Sequence, residues 1–159
     1  MPIHVVVLTV GNRYTVEGAH DELGELMEAT CRKMGWELLQ RHILGDDQEQ
    51  VTNYLIQVAD SGHVDVIFTL DGIGLQDKDR VPESMMQICE KWVPGLAEMV
   101  RVKAHEKSPQ VILTRGLAGI RGKTILINLP GSPTSVKDSL DVLKPVLRVA
   151  VEQVKGSTE

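Results

Sequence analysis

Apolar residues in this chain follow two alternating rhythms. Ile3 to Val10 is a short, β-branched, nearly continuous apolar run that ends at Gly11 and Asn12, the pattern of a strand buried on both faces. From Glu17 to Met34 the spacing turns helical, with Leu23, Leu26 and Met27 on one side and Gly35 as a stop. Trp36 to Leu44 predicts a second strand, and Gly45-Asp46-Asp47 turns the chain into a helix carrying Val51, Leu55, Val58 and Ala59, closed by Ser61-Gly62. Val64 to Leu70 predicts a third strand that runs into Asp71-Gly72-Ile73-Gly74 and a polar stretch through Arg80. Pro82 suits the first residue of the next helix, and another follows Pro94-Gly95 with Leu96, Met99 and Val100. Val111 to Thr114 reads as a strand, Gly116 to Gly122 as a turn, and Thr124 to Leu129 as the last strand. Pro130-Gly131-Ser132-Pro133 opens a final helix whose inward positions are Val136, Leu140, Leu143, Leu147, Ala150 and Val154, with a bend expected at Pro145.

Strands alternating with helices of this length predict an α/β fold, a mainly parallel sheet covered by helices on both faces in three αβα layers. No internal repeat, linker or low-complexity tract divides residues 1–159, so one domain is expected. Ligands of such sheets bind in the crevice outside the C-terminal strand ends. The loops that matter are therefore Gly11 to Arg13, Gly45 to Asp47, Asp71 to Arg80 and Asn128 to Ser132.

Composition narrows the partners. With 159 residues, 42% of them hydrophobic, and a net charge of -5, the chain can bury a core but offers no basic footprint for a nucleic-acid backbone or an anionic membrane. Small phosphorylated ligands stay possible, because a few backbone amides hold them locally. Cys31 and Cys89 are isolated, without the spacing of a zinc site or a disulfide framework. The opening MPIHVVVLTVG has no basic leader, and no apolar run reaches the length of a membrane span. A cytoplasmic protein is expected.

Each loop has a functional reading and a purely structural one. Gly72 and Gly74 could let backbone N–H groups approach a phosphate, or could simply make a tight turn. Asp46 and Asp47 could bind Mg²⁺ or position a phosphorylated substrate, but Asp47 followed by Gln50 also spells a capping box. Asp79, within D-K-D-R, draws interest from its place beyond the third strand. Asn128-Leu-Pro-Gly-Ser-Pro sets a glycine, a hydroxyl and a helix start after a strand, which favours an anion, while Ser132 equally suits an N-cap. His4, His20, His42, His63 and His105 show no ligand spacing, and no nucleophile with a base stands out.

Taken together, the loops resemble the molybdopterin adenylyltransferase family, the MoaB/Mog-type domain also found in gephyrin-like proteins. The resemblance spans nearly the whole chain. It is carried by L-T-V-G-N-R at Leu8 to Arg13, Asp21, G-D-D at 45–47, D-G-I-G-L-Q-D-K-D-R-V-P-E-S from Asp71, V-P-G-L-A-E-M-V-R, T-R-G-L-A-G-I-R-G-K-T and N-L-P-G-S-P. It implies the MoaB/Mog molybdopterin-binding fold and a reaction in which the terminal phosphate of molybdopterin attacks the α-phosphate of ATP with Mg²⁺ assistance, releasing pyrophosphate. It implies catalytic roles for Asp46 and Asp79, with Asp46 on the metal. It also implies pterin or phosphate contacts at Gly72, Gly74, Gly131, Ser132 and Asn128. A homotrimer or homohexamer is implied as well.

Two loops depart from the family pattern. Where T-G-G-T-G is usual, this chain has L-D-G-I-G, placing Asp71 and Ile73 among the ligand-facing positions; where S-D-R is usual, it has Gly11, Asn12 and Arg13. The alternative expectation that follows is a non-catalytic or altered-specificity molybdopterin-binding relative.

Overall fold

In the computed structural model, which describes residues 1–156, six strands form one sheet in the order β2-β1-β3-β6-β5-β4. β1 (His4–Val10), β2 (Glu37–Leu44), β3 (Val66–Leu70) and β6 (Thr124–Leu129) run parallel, and β5 (Ala118–Arg121) and β4 (Lys91–Trp92) add an antiparallel edge. The continuous apolar runs of β1, β3 and β6 are explained by their central place: every residue of β3 and β6 is buried. Side chains of successive strand residues point to opposite faces, so both faces receive apolar cover. Val5, Val7, Phe68, Ile125 and Ile127 meet helices α2 (Glu22–Met34), α5 (Pro94–His105) and α6 (Pro133–Lys155). Val6, Leu8, Ile67 and Leu126 meet α3 (Gln48–Asp60) and α4 (Val81–Ile88) on the other. This is the expected three-layer arrangement. Phe68 is fully buried and stacks at 6.1 Å on Trp36, so truncating it to alanine should cost about 3–5 kcal/mol.

Local chemistry sets the helix ends. Asp21 caps α2 by accepting from the Gly24 N–H at 2.9 Å, and Gly35 closes it in the left-handed conformation. The helix read from Glu17 begins only at Glu22: a separate four-residue α1 (Asn12–Thr15) precedes that region, and Gly18 at φ +74° lies between it and the Asp21 cap. Asp47 caps α3 through the Gln50 N–H at 3.1 Å, the N-cap half of the predicted capping box, while its own N–H donates to the Gly45 carbonyl at 2.9 Å. Helix α6 continues through Pro145, held by the buried Leu143 and Leu147 on either side.

One strand assignment is overturned. Val111 to Thr114 is not a strand: Pro109–Leu113 forms a 3-10 turn, with Ile112 and Leu113 exposed. Apolar, β-branched residues here fill a connection, and Pro109 favours the start of a helical turn. Conversely, β5 lies inside the segment read as a turn, and β4 is only two residues long. The sheet is accordingly mixed, with its parallel part confined to the four strands that feed the crevice.

Candidate functional site

Parallel pairing of β2, β1, β3 and β6 brings their C-terminal ends to one edge. The four loops singled out from the sequence all leave from that edge, and hydrogen bonds tie them together.

The first tie joins the loops after β1 and β2. The Asn12 N–H donates to Asp46 Oδ2 at 2.9 Å, and the Asp46 N–H donates back to Asn12 Oδ1 at 2.8 Å. This reciprocal clasp orients the Asp46 carboxylate through a neutral amide; among the described residues it forms no ion pair, and no hydrogen bond reaches Oδ1. Gly11, whose N–H donates to the Leu44 carbonyl at 2.9 Å, joins the same two loops.

The loop after β3 is built in a similar way. Asp79 Oδ2 accepts from the Gln76 N–H at 3.0 Å, closing a short ring that the Asp79 N–H completes on the Gln76 carbonyl at 3.0 Å. Gly74 is needed for room, because a Cβ there would stand 2.8 Å from Asp79 Oδ2. Gly72 is needed for conformation: its φ of +75° is one that side-chain-bearing residues rarely adopt. Arg80 Nε donates to Gln48 Oε1 at 3.1 Å, fastening this loop to the start of α3 just beyond Asp46 and Asp47.

Arg115 anchors the whole β3 loop from beneath, and sequence reasoning missed it. Its Nε donates to the Gly74 carbonyl at 2.9 Å, one terminal nitrogen donates to the Asp79 carbonyl at 2.6 Å, and the fork grips Glu83 at 2.7 and 3.2 Å. That hydrogen-bonded pair holds the Glu83 carboxyl below its ordinary value of 4.5. A bidentate arginine between two loops is a rigid fixture. The signal lies in T-R-G-L, within the family-like segment, but a single arginine in a glycine-rich turn carries no mark of its partners.

At the end of β6, Ser132 is the N-cap of α6, its hydroxyl accepting from the Ser135 N–H at 3.3 Å, and Gly131 lies against Asp71. Asp71 takes φ +71° and bonds with Gly72 and with Tyr14, whose phenol is pushed well above its ordinary value of 10 by burial and then by the Asp71 charge. Two expected ligand residues are engaged within the protein instead. Ile73 is 4% exposed and packs in the core under the loop. Asn128, equally buried, donates through Nδ2 to Thr69 Oγ at 2.7 Å and accepts the Leu117 N–H at 3.0 Å, joining β3, β6 and the approach to β5. A buried amide must satisfy its polar atoms locally, so the Asn128 side chain holds the sheet together.

The arrangement suits charge neutralisation more than covalent chemistry. Cys31 and Cys89 are free, with thiols pushed up to about 11 by burial, which makes neither a thiolate nucleophile near neutral pH. No three His, Cys, Asp or Glu side chains come together as a metal cage among the described residues. A divalent ion held at Asp46 would have to complete its shell largely from water and ligand oxygens, the usual habit of Mg²⁺.

Residues 6–149 match the family described as a probable molybdopterin binding domain. The chain is 30% identical over 158 residues to a molybdopterin adenylyltransferase of Helicobacter pylori J99, covering 98% of this chain and 89% of that protein. Its fold superposes with a TM-score of 0.90 on the molybdopterin biosynthesis enzyme MoaB of Thermus thermophilus, at 33% identity and 97% coverage of both chains. The tungsten cofactor synthesizing protein MoaB of Pyrococcus furiosus is similar too, at TM-score 0.86 and 27% identity over 97% of this chain and 98% of that one.

Proposed function

This chain belongs to the MoaB/Mog family of molybdenum cofactor biosynthesis proteins, and from that premise we propose that it adenylylates molybdopterin, using ATP and Mg²⁺. A terminal phosphate oxygen of molybdopterin forms a bond to the α-phosphorus of ATP, the bond from that phosphorus to the β-phosphate bridge breaks, and pyrophosphate leaves. The observation that carries this reading is the pair Asp46 and Asp79. Each carboxylate is aimed by a backbone N–H and, among the described residues, keeps its other oxygen free of hydrogen-bond donors, on loops joined through Arg80 and Gln48.

Nucleotidyl transfer depends on holding two anions in line while charge shifts between oxygens. Mg²⁺ on Asp46 would offset the triphosphate charge. Asp79, fixed by the Gln76 amide and backed by Arg115, orients the nucleophilic end of the reaction without neutralising its own charge. Gly74 and the Gly131-Ser132 helix start offer backbone N–H groups to phosphate, Gly72 offers its own once the Asp71 carboxylate releases it, and Gly11 and Asn12 border the nucleotide side, Asn12 through its clasp with Asp46. Pyrophosphate release from ATP, dependent on both Mg²⁺ and molybdopterin, tests the proposal. No release with a substrate preparation that supports a known adenylyltransferase would refute it.

Assembly and setting belong to the same reading. Met86, Trp92 and Met99 are 57%, 45% and 50% exposed, and Met86 and Trp92 line an apolar groove of ≈ 410 Å³ beside the short β4 edge, which supports self-association; the trimer or hexamer rests on the family resemblance. Free thiols support a cytoplasmic setting. Among the described residues, no helix is long and apolar enough to cross a membrane.

A further inference from the structure

Asp71 is the one described non-glycine residue at positive φ, and the proposed reaction gives its carboxylate no part. That carboxylate reaches three loops at once. Oδ1 accepts from the Gly72 N–H at 3.0 Å, Oδ2 accepts from the Tyr14 O–H at 3.0 Å, and a Cβ on Gly131 would stand 2.5 Å from Oδ1. It therefore fills the space between Gly72 and Gly131, where a ligand phosphate would meet the same backbone. None of the ion pairs among the described residues involves it. Tyr14 cannot neutralise it either, since a phenol can donate a hydrogen bond but carries no positive charge.

We propose that Asp71 is a tethered anion that holds the phosphate position of the crevice and thereby sets how tightly a ligand phosphate binds there. The inference rests on reading Gly72 and Gly131 as phosphate contacts. A phosphate oxygen reaches the Gly72 N–H only after the carboxylate leaves it, and a carboxylate that swings aside also gives up the Tyr14 hydroxyl. If it stays within about 4 Å, like-charge repulsion lowers phosphate affinity by roughly fivefold or more. The residue is a built-in competitor, and the Tyr14 hydroxyl is its clamp.

Calorimetric titration of inorganic pyrophosphate into the full chain and into Asp71→Asn, Asp71→Gly and Tyr14→Phe tests this. Asparagine tolerates the left-handed conformation and glycine adopts it freely, and a thermal melt of each variant verifies folding. Both Asp71 variants should bind pyrophosphate at least about fivefold tighter than the wild type, with a larger gain at low salt. Tyr14→Phe, which loosens the carboxylate without removing its charge, should give a smaller gain than Asp71→Asn. An Asp71→Asn change below fivefold, or weaker binding, overturns the proposal, the latter by making the carboxylate a ligand contact. A Tyr14→Phe gain larger than that of Asp71→Asn overturns it as well. Tighter pyrophosphate binding without any adenylyl transfer would uphold the tethered anion and sink the proposed reaction; transfer with unaltered pyrophosphate affinity would do the reverse.

Discussion

The two ends of the sheet treat their carboxylates in opposite ways. At the N-terminal end, Asp65 is 5% exposed; its Oδ2 accepts the His4 N–H at 2.9 Å and its Oδ1 meets Lys155 Nζ at 2.8 Å. At the C-terminal end, Asp46 and Asp79 are each held by a backbone amide, and neither forms an ion pair among the described residues, Arg115 reaching Asp79 only through its field. A lysine cancels the charge of Asp65 and makes it a staple between the sheet and α6. An amide fixes direction and leaves charge available, which is what a site handling metal and phosphate needs. Even within the C-terminal end, Arg115 gives its hydrogen bonds to Glu83 and backbone carbonyls and acts on the Asp79 carboxylate only through its charge.

The contrast breaks most sharply if the open carboxylates are dispensable. Asp46→Asn and Asp79→Asn should each lower turnover by about 10²- to 10³-fold in a pyrophosphate-release assay, with the unfolding midpoint almost unchanged. Next in size, Arg115→Ala should destabilise the protein by about 2–3 kcal/mol in urea unfolding, because the partly buried Glu83 and two carbonyls lose a charged donor, and activity should fall as the Asp79 loop loosens. Asp65→Asn should cost about 1–2 kcal/mol while leaving turnover intact. A turnover loss in Asp65→Asn comparable to that of Asp79→Asn would erase the distinction between the ends.

The smallest effect is a pH dependence. Arg115 depresses the folded-state Glu83 value below 4.5, so the stability from this pair is fully present above that ordinary value and is lost as pH falls through the depressed one. Urea unfolding of wild type and Glu83→Gln should differ near neutral pH and converge as the solution is acidified below pH 4.5. A difference that persists undiminished in acid would mean that Glu83 acts through packing instead of charge.

Legibility in the sequence follows the same physics. β1, β3 and β6 were readable because burial on both faces demands uninterrupted apolar residues, and α3 and α6 because their caps and spacing agree. The antiparallel edge was not. Ala118–Arg121 lies among Gly116, Gly119 and Gly122, which mimic a turn, and Lys91–Trp92 is too short for any period to emerge. Val111 to Thr114 has strand-like composition but sits in a connection after Pro109. At the site, Asp46 and Asp79 gained meaning only from the resemblance, since an isolated loop aspartate is usually solvated. The Asn12 clasp, the Tyr14 hydroxyl on Asp71 and the Arg115 anchor involve partners 34, 57 and 32 to 41 positions apart. Pairings at that range come from sheet order, not from local pattern.

If charge left open marks the working end, then the end with open carboxylates, and not the end with cancelled ones, receives the substrates. Backbone amide NMR with molybdopterin and a non-hydrolysable ATP analogue decides between the two. The amides of 11–13, 45–47, 71–80 and 131–132 should shift together while those flanking Asp65 and Lys155 stay still. Shifts centred on Asp65 and Lys155, with the four loops unaffected, would contradict this picture of the site.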